Sequence, residues 1–127
     1  SMIGWVIFGT NDLDKSKKFY DTFISKLEFI KALDEKDYVG YARKDDPKRV
    51  IFYITLPFDG KKATFGNGTM IALHASSPEV VDIVHNIAIN NGGINEGNPG
   101  KRNYDRDAYF SYFRDLDNNK ICVYSEF

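Results

Sequence analysis

The order of apolar and polar positions along this chain states one pattern twice. Residues 3–8 are a run of β-branched and aromatic side chains. The run stops at the polar cluster Gly9-Thr10-Asn11-Asp12, and a helical spacing takes over from Leu13 to about Leu27. Residues 70–73 are a second short apolar run. It stops at Ser76-Ser77-Pro78-Glu79, and a second helical spacing follows from Val80 to about Ile89. Three short strand candidates come after each helix, at 29–33, 38–43 and 50–56 in the first half and at 94–96, 108–114 and 120–126 in the second. Two strand-helix-strands halves predict one duplicated domain whose halves share a sheet-lined cleft. The first module covers about 2–57, a linker about 58–68, and the second module about 69–127.

Local chemistry supports these elements. Asn11 or Asp12 can accept from the free amides that open the first helix, and Asp14 adds negative charge near that positive end. Phe19, Phe23 and Leu27 fall on one face, with Tyr20 and Ile24 beside them. In the second half, Ser76 and Glu79 fit a capping box with Pro78 in the first turn, and Gly92-Gly93 supplies a left-handed stop. Val80, Val81, Val84, Ile87 and Ala88 form the apolar face of that helix, which leaves His85 as a surface or rim residue. Asp45-Asp46-Pro47-Lys48 reads as a turn, and so does Gly66-Asn67-Gly68, which lacks the ending and spacing of a phosphate-binding loop. Residues 98–107 read as a long, solvated, basic loop. At a cleft rim its Arg102 and Arg106 are candidates for contact with an anionic ligand.

Composition narrows the class. The 127 residues suffice for one domain with a real core, and the net charge is −1. Lys and Arg are scattered, so no basic footprint for nucleic acid is present. No apolar run approaches the ~18–20 residues of a membrane span. No signal-peptide pattern is read at the start, and Ser1 before Met2 reads as a remnant of expression. The single cysteine, Cys122, excludes an intramolecular disulfide and fits a reducing, cytoplasmic setting.

Particular residues carry a resemblance. Val6-Ile7-Phe8-Gly9-Thr10-Asn11-Asp12-Leu13, with Ser16, Phe19 and Tyr20 after it, resembles the opening of the vicinal oxygen chelate superfamily of glyoxalases, bleomycin-resistance proteins and extradiol dioxygenases. The stretch at 112–121 resembles its closing hairpin, with Leu116 in place of the usual proline and Asn118 in place of the glycine. Asparagine tolerates the left-handed conformation, so the turn should survive. The resemblance covers nearly the whole chain. It implies an α+β fold of two βαβββ modules, forming a curved mixed β-sheet cup with helices outside, and a homodimer. It says less about activity, because one scaffold hosts many chemistries.

Metal-dependent members hold a divalent ion at the floor of the cup. By the resemblance, their ligand positions fall here on Trp5, Met70 and Cys122, with a fourth near Tyr53 or Thr55. An indole cannot ligate a metal, and a thioether is a poor partner for hard cations. No cofactor is therefore expected. Strand alternation then puts Trp5, Tyr53, Met70, His74, Cys122 and Tyr124 in the cup, with Tyr112 beside them. Such a lining suits a flat or apolar small molecule. If the cup held no ligand, these side chains would pack against one another. His74 and Cys122 could also form a nucleophilic pair, although a lone cysteine on a strand is more often inert packing. Asp115, Asp117, Asn119 and Glu126 imitate a calcium loop, but Lys120 stands where its glycine should be. The expectation is a metal-independent small-molecule-binding protein. The alternative is a metal-dependent enzyme of the superfamily, a lactoylglutathione lyase-type isomerase or lyase, or a dioxygenase.

Overall fold

The computed structural model describes residues 2–127. The first half forms β1 (Val6–Gly9), α1 (Leu13–Asp21), a short 3-10 turn (Ile24–Leu27), β2 (Phe29–Asp34), β3 (Tyr38–Arg43) and β4 (Val50–Thr55). The second half forms β5 (Ile71–His74), α2 (Pro78–Asn90), β6 (Ile94–Lys101), β7 (Ala108–Arg114) and β8 (Lys120–Glu126). The strands build two four-stranded sheets, ordered β1-β4-β3-β2 and β5-β8-β7-β6. In each, the strand before the helix pairs parallel with the last strand of its module, and the remaining pairs are antiparallel. The order is the same in both halves, which makes the duplication a property of the fold. The architecture is the α+β arrangement of two βαβββ modules.

Period-two alternation sorts each strand into two faces. Val39, Tyr41, Phe52, Ile54, Ile121 and Val123 are buried against the helices. α1 turns Leu13, Ser16, Phe19 and Tyr20 inward, and α2 turns Val81, Val84, His85 and Ala88 inward. The two halves share one core. The Phe19 and Phe23 rings meet Phe113 of the second sheet edge-on at 6.3 and 5.6 Å, while Tyr20 meets Phe52 of the first at 5.7 Å. A module-one segment thus closes the interior of both sheets.

The β7–β8 turn ties the halves together with polar bonds. Asp115 is buried and accepts from Tyr20 Oη at 2.6 Å, from Asn119 Nδ2 at 3.0 Å, and from the Asp117 and Asn119 amides at 2.9 Å. Asp117 accepts from the Thr10 hydroxyl and the Asn11 amide, and Asn119 donates to the Gly9 carbonyl. Asn118 sits at φ 67°, the left-handed conformation expected of the residue that replaces glycine in this turn.

Four expectations need correction. The first helix ends at Asp21, where the Thr22 amide and hydroxyl both bond the Phe19 carbonyl. A separate 3-10 turn, stopped by Glu28 at φ 63°, then carries Ile24 and Leu27 into the core. The 19-23-27 spacing is met by two turns facing one core. The α2 cap is Ser77, whose hydroxyl accepts from the Val80 amide, rather than Ser76. β6 runs on through 98–101, so the predicted loop is shorter. Its register slips between Asn95 and Gly97 and between Gly97 and Gly100, and an edge strand broken this way tolerates Pro99. His85 is buried, only 4% exposed, because 81, 84, 85 and 88 are the inward positions of α2. No helix among the described residues is long and apolar enough to cross a membrane.

Candidate functional site

Side chains that do not face the helices line the opposite, concave faces of the sheets. The residues expected there fall into three groups. Trp5 and Met70, from the segments leading into β1 and β5, border one cavity of about 540 Å³ with Ile3, Ile51, Arg43 and Arg49. Both are exposed, Trp5 to 62%. Tyr53 of β4 packs on Tyr38 of β3 with ring centroids 6.0 Å apart. Gly40 makes room for it, since a Cβ there would lie 3.1 Å from the Tyr53 ring. Tyr38 and Ile7 in turn line an open cleft of about 990 Å³, with Leu56, Phe58 and the lysines 36, 61 and 62 at its border.

The third group occupies the second sheet. Ala108, Phe110 and Cys122 form a small buried cluster, flanked by Tyr112 and Tyr124. The Phe110 ring is nearly parallel to Tyr112, with centroids 6.5 Å apart, and stacks against Tyr124 at 6.1 Å. His74 meets Tyr124 edge-on at 5.3 Å. The segment between β6 and β7 folds over these rings. Tyr104 packs on Phe110 at 5.2 Å, Arg102 lies over Tyr112 at 5.6 Å, and Arg106 lies over Tyr124 at 5.8 Å. Lys120 also reaches the Tyr112 ring, at 5.6 Å. His74, Tyr112, Cys122 and Tyr124 are thus brought together with Arg102 and Arg106. Among the described residues, no ring contact or hydrogen bond joins them to Trp5 and Met70.

Sequence reasoning passed over three members of this group. Phe110 was recoverable from alternation, because it shares the face of Ala108 and Tyr112. Lys120 was recoverable in the same way from Cys122 and Tyr124. Tyr104 carried no periodic signal, since it belongs to no strand. Asp115, Asp117 and Asn119 look like calcium ligands in sequence, yet their oxygens and amide bind module one.

The titratable groups here are restrained. Burial pushes the Cys122 thiol up to about 11, and the Tyr112 hydrogen bond and the Arg102 and Lys120 charges only partly offset it. The thiol is protonated at neutral pH and is a poor nucleophile. Strand register also separates it from an imidazole base: Cys122 stands opposite Ala72, and His74 opposite Tyr124. Burial and the Tyr104 hydroxyl, 3.4 Å away, raise the Tyr112 phenol above its usual range. As metal donors, an indole at Trp5, a thioether at Met70 and a lone soft sulfur at Cys122 do not suit a hard divalent ion. Among the described residues, no three His, Cys, Asp or Glu side chains lie close enough to share a metal.

A comparison with family models finds no match, and a comparison with curated proteins finds none. Solved structures are informative. A glyoxalase/bleomycin resistance protein from Albidiferax ferrireducens T118 is 39% identical, over 99% of this chain and 99% of that one, with a TM-score of 0.86. A glyoxalase-related enzyme from Fulvimarina pelagi has a TM-score of 0.77 at 13% identity, over 99% of this chain and 88% of that one. A glyoxalase/bleomycin resistance protein/dioxygenase family enzyme from Burkholderia phytofirmans PsJN has a TM-score of 0.75 at 15% identity, over the whole of both chains. The last two likenesses speak for the fold alone. With the paired modules and the first likeness, the conclusion is that this chain belongs to the glyoxalase/bleomycin resistance protein family of the vicinal oxygen chelate superfamily.

Proposed function

We propose that this chain is a metal-independent, small-molecule-binding member of its family, which takes a flat organic ligand on the aromatic concave surface of its sheets. The observation that carries this reading is the donor set. The positions that the resemblance assigns to metal ligands hold an indole, a thioether and a single thiol, none of them a donor for a hard divalent ion. The concave side offers what a planar ligand needs: half-buried rings at Tyr112 and Tyr124 on the second sheet and, in a separate cavity, the Trp5 indole with the soft sulfur of Met70.

Titration with a panel of flat aromatic compounds, read by Trp5 fluorescence and by protein NMR shifts, tests the reading. The expected result is saturable one-to-one binding with shifts confined to the concave faces. No saturable binding up to millimolar concentration contradicts it. The reading includes self-association. Trp5, Ile7 and Met70 are all exposed, and a second copy would cover them in a homodimer, which light scattering would report as twice the chain mass. A lone buried thiol suits a reducing cytoplasm.

A further inference from the structure

The second sheet holds two half-buried cations that form no close ion pair among the described residues. Among the described residues, five Lys and Arg side chains are half-buried: Lys17, Lys31, Arg102, Arg114 and Lys120. Taking a cation partly out of water costs free energy unless a counter-charge is supplied. Three of the five have one, since Lys17 pairs with Asp34, Lys31 with Asp21 and Arg114 with Glu96. Arg102 and Lys120 form no such pair among the described residues, and the nearest counter-charge to Lys120 is Glu96, which already pairs with Arg114 and which the Lys120 charge helps keep ionised. Arg102 donates only to the carbonyls of Lys101 at 3.2 Å and Asn98 at 2.6 Å. Neither it nor Lys120 forms an ion pair among the described residues, although Asp105 and Asp107 lie in the segment beside Arg102.

The two unpaired cations are not scattered. Both lie within 5.6 Å of the centre of one ring, Tyr112. Arg106 adds a third charge over Tyr124, on the same run of aromatic side chains. Ring faces hold a cation by their quadrupole at little cost and use none of its N–H donors, of which Arg102 spends two on the Lys101 and Asn98 carbonyls and keeps the rest. A guanidinium and an ammonium beside an aromatic shelf are what a flat anion requires: a surface for its ring and donors for its charge.

We propose that Arg102 and Lys120, supported by Arg106, form an anion-recognition site, and that the ligand of this face is a planar aromatic acid whose carboxylate lies between those two cations. The inference rests on the small-molecule reading above and gives it a substrate class.

The test uses calorimetric titration of the intact chain with 2-naphthoate and with its neutral amide, 2-naphthamide. The same titrations are run on R102Q/K120Q and on K61Q/K62Q, which alters the cleft beside the first sheet. The expected result is roughly tenfold tighter binding of the acid than of the amide, falling with added salt. The preference should drop to within about twofold in R102Q/K120Q and persist in K61Q/K62Q. A thermal melt confirms that each variant is folded. If R102Q/K120Q does not fold, the salt dependence and R102Q alone carry the decision. Equal binding of acid and amide by the natural chain overturns the anion site and leaves the aromatic surface standing. A preference that survives R102Q/K120Q, or that is lost in K61Q/K62Q, also overturns it. Binding of neither compound removes the small-molecule reading and this inference with it.

Discussion

The two modules share one topology and use it differently. Each has a charged turn before its last strand. In module one, the turn after β3 is exposed, and its ion pair, Arg43 with Asp45, is local. In module two, the turn after β7 buries Asp115 and Asn119 and reaches across to Thr10, Asn11 and Tyr20 of the other half. The concave faces differ as well. The first sheet leaves Ile7 bare, with Trp5 exposed just before it, whereas the second is roofed by a segment bearing Tyr104, Arg102 and Arg106. One topology thus carries an open face in the first half and a covered, ring-lined face in the second.

That asymmetry can be broken experimentally. The largest effect should come from Phe113→Ala, which deletes a fully buried ring held by Phe19 and Phe23 and should cost about 3–5 kcal/mol. Because the core is shared, urea unfolding of the variant should remain one transition. Separate melting of module two would show that the halves are independent. Next is the contrast between turns. Asp115→Ala strands Tyr20 Oη and the turn amides and should cost about 3 kcal/mol, while Asp45→Ala should stay within about 0.5 kcal/mol, as exposed pairs do. Equal costs would erase the distinction.

Smaller effects sharpen the picture. Asn118→Ala should lose about 1 kcal/mol in a thermal melt, because the position is left-handed, and Asn118→Gly should lose none. The helices offer a pH test. α1 buries Tyr20 with a partner, but α2 buries His85 beside Phe113 with no well-formed hydrogen bond to either ring nitrogen among the described residues, the Asn95 side chain being only nearby. Burial lowers the imidazole pKa, against a weaker opposite pull from Asn95 and Asp82. The unfolded chain then takes up a proton near 6.5 that the folded chain refuses. His85 thus favours the fold fully above that pH, and the advantage is lost as pH falls through the lowered folded value. The urea midpoint should drop between pH 7.5 and 5.5, and His85→Leu should flatten that drop.

Much of this fold could be read before any coordinates, and the reason is visible in particular residues. β3, β7 and β8 begin and end where alternation places them, because those strands bury one face fully. β6 was half missed, because Gly97, Asn98, Pro99 and Gly100 have no strand propensity and the edge strand accommodates them with slips in register. His85 was misplaced for a different reason. Its polarity outweighed its spacing, although the inward positions 81, 84 and 88 already marked its face. The candidate site was legible strand by strand but not as a set. Alternation says which face a residue occupies, whereas the grouping of Trp5 with Met70, apart from Tyr112 and Cys122, depends on tertiary placement. The covering segment could not be read at all, since a loop that packs by Tyr104 and two arginines has no period.

The central claim is that organic ligand chemistry has replaced the family's metal chemistry on this scaffold. Elemental mass spectrometry of the protein, purified without chelators and dialysed against metal-free buffer, tests it most directly. The account predicts Zn, Ni, Fe and Mn each far below one equivalent per chain. A near-stoichiometric content of any of them, lost in a Cys122→Ser variant that still folds, would contradict it.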